Sequence, residues 1–294
     1  MTNALIYHVA SGQAFFSGVA LILMAVLSAF RTGGRWLALA RTVAAYFGLA
    51  LVAVSATPLP SWFYLTAAAL WFAWLAAEGS SRGSALRSRH RLRCAVLAVG
   101  GLGAALELPY HLAPALPRIG DPRVYVVGDS ISAGMGGEAE TWAGVLARRQ
   151  RVVVHDLSLA GATVATASRE QTVRGAGPGS LVIAEIGGND IFGGTSPDVF
   201  ETGLDGLLGR LREGGRTVVM LELPLPPFYN RYGVAQRRMA RRHGVALVPK
   251  RVLLGVMTSS GATVDTVHLS RSGHGLMAEA MWRVIRGAFG PRRG

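Results

Sequence analysis

Apolar residues follow two different patterns along this chain, and the change comes near residue 117. Before it, four apolar stretches at residues 14–30, 36–56, 59–77 and 94–108 are separated by short polar links. A helix needs about 20 mostly apolar residues to cross a bilayer, with about 17 as a lower bound. The second and third stretches meet that length and the first just does. The fourth is short, with residues 108–112 available to extend it into the interface. Residues 1–13 hold no Lys or Arg, so the basic segment that opens a signal peptide is missing. Four such runs within 117 residues also argue against buried soluble helices. The pattern predicts an α-helical transmembrane domain of about four helices over residues 1–117.

After Pro109, Pro114 and Pro117 the runs become short and alternate in kind. Strands are predicted at residues 124–127, 152–155, 181–186, 217–223 and 245–248. Helical patterns lie between them at residues 140–149, 163–174, 197–212 and 236–243, with a last one at 272–289. Continuous β-branched runs alternating with helices imply a parallel sheet covered on both faces. Residues 118–294 therefore read as one α/β domain. Ligands of such sheets bind outside the carboxyl ends of the strands. Ser130 and Asn189 each follow a predicted strand directly, and Gly161 follows the second after a short loop.

Charge adds an orientation. The first link has Arg31 and Arg35 and no acid, and the third has Arg82, Arg87, Arg89, Arg91 and Arg93 against Glu78. The segment before the first span and the Thr57-Pro58 link carry no basic residue. Basic short loops stay cytoplasmic, so an even count places both basic links inside and both termini outside. Arg41 is one turn inside the second span and can snorkel to the headgroups. The expected location is the cytoplasmic (inner) membrane, multi-pass, with the C-terminal domain periplasmic or extracellular and the lipid bilayer as partner.

The net charge of +13 is in part this topological signal. Residues 1–117 hold 8 basic and 2 acidic residues, and residues 118–294 hold 22 and 15. No nucleic-acid motif accompanies the charge, so no nucleic-acid partner is expected. Arg237, Arg238, Arg241 and Arg242 form a basic stripe. It reads as a solvated face or, alternatively, as a contact for anionic lipid or glycan. The single cysteine, Cys94, excludes an internal disulfide.

The candidate chemistry begins at Gly128-Asp129-Ser130-Ile131, where a serine hydroxyl stands on the turn leaving a strand. Such a triplet is more often an ordinary loop. Three later features change its reading: Gly161, Gly188-Asn189-Asp190 and Asp265-Thr266-Val267-His268. A serine hydroxyl is a weak nucleophile until a neighbouring base takes its proton. His268 is the candidate base, and Asp265 would orient the imidazole and stabilise its charged form. His274 is the rival base, placed inside the last helical pattern. The backbone N–H groups of Ser130 and Gly161 and the Asn189 amide are candidate oxyanion-hole donors. Asp129 and Asp190 read as structural hydrogen-bonders. The seven histidines are scattered without metal-ligand spacing, so neither metal nor cofactor is expected.

These residues resemble the SGNH hydrolases, the GDSL-type esterases and lipases, over about residues 121–294. The serine, glycine, asparagine and histidine of that name match Ser130, Gly161, Asn189 and His268. Asp156 stands where the family often has asparagine, and Thr266 where glycine is common. The resemblance implies a flavodoxin-like three-layer αβα fold and ester hydrolysis. The resulting reading is a membrane-anchored serine esterase acting on an O-acyl ester of a lipid or cell-envelope glycan. One alternative is an acyltransferase that passes the Ser130 acyl group to a sugar or lipid hydroxyl. Another is a degenerate hydrolase domain used as an assembly or binding module. Leu223-Pro224-Leu225-Pro226-Pro227-Phe228-Tyr229 would rim the site after the fourth strand, as an acyl groove or as a stiff packed loop.

Overall fold

The computed structural model describes residues 2–31, 34–79, 86–136, 139–171, 173 and 176–290. Arg82 of the third link and Arg174 at the end of a predicted helix lie outside the described residues. The N-terminal third is helical: α1 (Thr2–Ala10), α2 (Gln13–Ser28), α3 (Arg35–Val54), α4 (Ser61–Gly79) and α5 (Leu86–Glu107). A 3-10 turn, Leu108–His111, extends α5.

The four apolar stretches correspond to α2 through α5, with differences at their ends. α5 starts eight residues before the predicted residue 94, inside the arginine-rich link. Arginine is a good helix former, and Arg93 is fixed there by Glu78, at 2.8 and 3.0 Å. By length and hydropathy, α3 and the stretch Arg87–His111 are suited to cross a membrane. The bent pair formed by Ala4–Ala10 and Gln13–Ser28, meeting at 81°, gives a third if counted as one span. Alone, the 16 residues of α2 reach about 24 Å, short of a hydrocarbon core of about 30 Å. α4 has the length, but Trp62, Tyr64, Trp71, Trp74 and Glu78 lower its mean hydropathy.

α2 and α3 cross in close contact because two glycines meet there. A Cβ at Gly18 would lie 2.5 Å from the Gly48 carbonyl oxygen, and one at Gly48 2.7 Å from that of Gly18. Such small-residue crossings let backbones approach where hydrocarbon surrounds the helices. α5 packs on α2, and α4 on α5.

The rest of the chain forms a five-stranded sheet with β1 (Val124–Gly128), β2 (Val154–Asp156), β3 (Leu181–Glu185), β4 (Thr217–Leu221) and β5 (Ala246–Val248). All neighbours are parallel and the order is β2-β1-β3-β4-β5. This is the flavodoxin-like α/β order, with its direction reversing between β1 and β3. Connecting helices are α6 (Ser130–Ala133), α7 (Trp142–Gln150), α8 (Val164–Glu170), α9 (Gly188–Phe192), α10 (Pro197–Arg212), α11 (Asn230–His243), α12 (Lys250–Met257) and α13 (Arg271–Ile285). Every residue of β1 and β3 is buried, as strands covered on both faces require. One face packs on α8, α10 and α11 through residues such as Phe200, Leu204 and Met239. The other packs on α7, α12 and α13 through Trp142, Leu253 and Met281. The result is the three-layer αβα arrangement.

The helical bundle seats on this domain at the carboxyl end of β4 and β5. Ala56, in the loop between α3 and α4, belongs to the core cluster of the sheet's first face. Its carbonyl accepts from Lys250 Nζ at the start of α12. Gly233 of α11 is required here, since a Cβ would lie 2.5 Å from Pro58 Cγ. Arg237 completes the junction. Its Nη1 and Nη2 donate to the two carboxylate oxygens of Glu107 at 2.6 and 2.9 Å, and its Nε donates to Glu222 at 2.6 Å. The Tyr110 ring lies 3.6 Å from the guanidinium carbon. The arginine stripe is thus divided, with Arg237 turned into the junction and Arg238, Arg241 and Arg242 left on an exposed face. Arg237 is buried, Arg241 reaches the Tyr110 hydroxyl, and Arg238 pairs with Glu201 of α10.

Candidate active site

The site sits where the sheet order reverses, at the carboxyl ends of β1 and β3. β1 ends in Gly128, and Asp129 caps α6 by accepting from the Ile131 N–H at 3.0 Å. This cap turns the chain sharply and leaves Ser130 as the first residue of the helix. The first N–H groups of a helix have no partner within it, so the Ser130 N–H faces outward with its hydroxyl. Gly128 is needed for close packing, because a Cβ would lie 2.7 Å from both Ser132 Cβ and Oγ.

Ser130 Oγ lies 3.0 Å from His268 Nε2, and His268 Nδ1 lies 2.7 Å from Asp265 Oδ2. The other Asp265 oxygen accepts from the Val267 and His268 backbone N–H groups at 2.6 and 2.7 Å. That local turn explains the spacing of three, since one carboxylate both closes the turn and reaches the ring. The hydrogen bond from His268, then those from the two backbone N–H groups, hold the Asp265 carboxyl well below the usual carboxylate range. Hydroxyl, imidazole and carboxylate thus stand in one hydrogen-bonded line.

Asn189, the second residue of α9 after β3, lines the same pocket. Its Nδ2 donates to the Ala162 carbonyl at 3.0 Å, which leaves the second amide hydrogen for the pocket. Gly161 is one residue before Ala162, with φ of 76° in the left-handed region that suits glycine. It stands beside the pocket rather than in its lining. Asp156 keeps the preceding turn by accepting from the Ser158 N–H at 3.0 Å, as an asparagine side chain would. Asp190 points away from the pocket and accepts from the Val164 N–H at 2.9 Å, fixing the start of α8. His274 is buried in α13, and its Nδ1 accepts from the Trp142 N–H at 3.1 Å. It is committed to the core and is not brought to Ser130.

Two supporting residues escaped the sequence reading. Gln171 clamps the end of β1, its amide donating to the Gly128 carbonyl and accepting from the Gly128 N–H, both at 2.8 Å. Glu185 ends β3 fully buried, accepting from Ser132 Oγ at 2.9 Å. An acid closing the apolar run Leu181-Val182-Ile183-Ala184 was a visible signal for Glu185. Gln171 carried none, since its partner lies 43 residues away.

Buried acids beneath the serine make this corner sensitive to pH. Burial, together with Asp129, pushes the Glu185 carboxyl well above the carboxylate range. Asp129 is pushed up to about 6, chiefly by burial, against the Ile131 N–H and His268, with Asp190 adding to the rise. Its folded-state value exceeds its ordinary value of 3.8, so ionising Asp129 costs the native state. The stability from this group is full below about pH 4 and is lost as pH rises through about 6. Asp129→Asn keeps the cap and removes the ionisation. It is expected to be about 1–2 kcal/mol more stable than wild type at pH 8 and no more stable at pH 4. Thermal unfolding at pH 4, 6 and 8 measures this, and equal gains at all three would refute it.

The pocket around Ser130 has a volume of about 280 Å³. Leu223, Pro224 and Pro226 form one wall, so the proline-rich segment does rim the site. A parallel α/β sheet carrying a serine, histidine and aspartate in line at its switch point defines a serine hydrolase. Residues 126–276 match the GDSL-like Lipase/Acylhydrolase family. Esterase TesA of Pseudomonas aeruginosa is 31% identical over 176 residues, which are 55% of this chain and 86% of that protein. A crystal structure of TesA superposes with a TM-score of 0.50 at 27% identity, covering 57% of this chain and 99% of that one. The psychrotrophic esterase EstA from Pseudoalteromonas sp. has the same fold, with a TM-score of 0.50 at 20% identity over 56% of this chain and 97% of its own. The chain belongs to the GDSL-like lipase/acylhydrolase family, and it is a serine esterase.

Proposed function

We propose that this esterase is anchored by its N-terminal helices and cleaves O-acyl esters of lipid or cell-envelope glycan at the outer face of the cytoplasmic membrane. The observation that carries the reading is shared geometry. Ser130, 3.0 Å from His268, opens at the carboxyl edge of the sheet, the same edge on which the apolar helices seat. An ester held in or near the bilayer surface would therefore lie on the side where the nucleophile is. The arginines of the first and third links support the outward orientation.

In this mechanism Ser130 Oγ attacks the ester carbonyl carbon while His268 Nε2 takes the hydroxyl proton. Asp265 fixes the Nδ1 proton of His268 and stabilises the imidazolium that forms. The negative oxygen of the tetrahedral intermediate is met by the Ser130 and Gly161 N–H groups and by Asn189; losing one such donor typically costs ~10²–10³ in turnover. Collapse breaks the C–O ester bond, and His268 returns its proton to the leaving alkoxide. Water, deprotonated by His268, then attacks the Ser130 acyl ester, releasing the carboxylic acid and restoring the serine.

Purified full-length protein assayed with p-nitrophenyl esters of increasing chain length should release free acid across the series. With glycerol added, acylated glycerol in place of free acid would mean transfer rather than hydrolysis. For topology, a C-terminal fusion should be active as alkaline phosphatase and dark as a conventional green fluorescent protein. A fluorescent fusion would overturn the outer-face assignment while leaving the esterase intact.

A further inference from the structure

Of the cavities that lie away from the catalytic pocket, two share one side chain. The first, about 220 Å³, is an apolar crevice among the N-terminal helices. α3 packs on α2, α2 on α5 and α5 on α4, so the helices form an open arc with α3 and α4 as its ends. Leu49, Val52 and Ala53 of α3 and Ala67 and Ala68 of α4 line the crevice between them. The Tyr46 and Trp71 rings, 5.1 Å apart, bridge α3 and α4 toward the α4 C-terminus. The other end of the crevice reaches Tyr64.

Tyr64 also lines the second cavity, a cleft of about 520 Å³ between the start of α4 and the esterase domain. The cleft is polar where the crevice is not. Arg231 pairs with Asp198 at 3.2 Å, and Arg238 with Glu201 at 2.9 Å, all four lining the cleft. Phe228 forms another part of the wall, 78% exposed and with φ of 70°. Its loop is the one whose Leu223, Pro224 and Pro226 wall the catalytic pocket.

We propose that crevice and cleft form one binding site for a zwitterionic glycerophospholipid, an acyl chain lying between α3 and α4 and the headgroup in the cleft. The inference rests on the membrane-anchored reading of the N-terminal helices. An apolar cavity gives water no polar partners and takes apolar groups instead, and in a bilayer the available apolar group is an acyl chain. The charges of the cleft select the headgroup. Its two guanidiniums and two carboxylates sum to zero, so a purely anionic head would displace the carboxylates without replacing their partners. A zwitterionic head exchanges both sets, its phosphate taking Arg231 and Arg238 and its ammonium taking Asp198 and Glu201. Tyr64 marks the boundary between tail and head, with its hydroxyl donating to the Thr57 carbonyl at 2.6 Å.

The test is native mass spectrometry of the full-length protein with equal phosphatidylethanolamine and phosphatidylglycerol of the same chains. Wild type should retain the zwitterionic lipid with a preference of about tenfold or more, the scale of one added charge-assisted hydrogen bond. Ala67→Phe, which fills the crevice, should remove retention of both lipids. Glu201→Gln, which removes one of the two carboxylate charges offered to the ammonium, should abolish the preference while sparing retention. Ala53→Leu fills the crevice from the opposite helix, in case Ala67→Phe misfolds. Unchanged hydrolysis of soluble p-nitrophenyl acetate certifies the fold of each variant. Equal retention of the two lipids by wild type, or retention by both crevice-filling variants, overturns the site. Liposome flotation keeps the premises apart. Protein that floats but shows no selective retention refutes the lipid site alone, whereas protein that does not float refutes the membrane anchoring beneath it.

Discussion

Ser130→Ala is expected to lower kcat/KM for a p-nitrophenyl ester by about 10⁴–10⁶-fold and to abolish labelling by a fluorophosphonate. Only the attacking oxygen is lost, and its partner in the fold is the exposed-side imidazole of His268 at 3.0 Å. The melting temperature should therefore stay near that of wild type. His268→Ala should fall to a similar level, and the double variant should fall no further, because groups that act as a unit are not additive. His274→Ala should show the opposite profile. It removes the acceptor of the buried Trp142 N–H and so lowers stability, while the folded fraction keeps its turnover. Comparable activity loss in His274→Ala and His268→Ala, each measured per folded molecule, would sink the assignment of the base.

Arg237→Ala should be the most destabilising single change at the junction, by about 3–5 kcal/mol, because removing one partner strands the buried charges of the others. Glu107 and Glu222 would both be left in the interior, the first at the end of α5 and the second at the end of β4. Arg237→Lys should rescue little, since a single ammonium cannot fork to two carboxylates in different directions. Thermal unfolding in detergent gives the loss, and protease cutting within residues 112–123 reports whether the helices have come away from the esterase domain. A loss below about 1 kcal/mol, the range of exposed ion pairs, would show that the network carries no such strain.

Features that repeat locally were legible in the sequence. β1 and β3 are buried on both faces, so their apolar runs announce them, and the predicted bounds differ from the observed ones by a single residue. β2 was placed at residues 152–155, whereas pairing begins only at Val154 opposite Val124. An edge strand is set by its neighbour, and hydropathy does not register that. α11 starts at Asn230 rather than residue 236, because Gly233, a poor helix former, is required by the approach of Pro58. α12 went unread, its apolar residues following β5 with only Pro249, Lys250 and Arg251 between. In the site, Ser130, Asp265 and His268 were legible because each sits in a short motif with a mechanism. Gln171, and the pairing of Arg237 with Glu107, were not. Their meaning lies in partners 43 and 130 residues away, which no local pattern encodes.

The Arg237 fork has a consequence for how the esterase meets its substrate. A catalytic domain on a loose stalk sweeps a volume, and its encounter rate depends on stalk length. Here Glu107, the last residue of α5, is held directly by α11 and through it to the end of β4. With the helices anchored as proposed, that arrangement would give Ser130 a fixed working height above the hydrocarbon. On the proposed anchoring, selectivity would include depth: of two chemically identical esters, the one whose carbonyl lies at that height would be cleaved, and the other would have to be lifted or lowered to it.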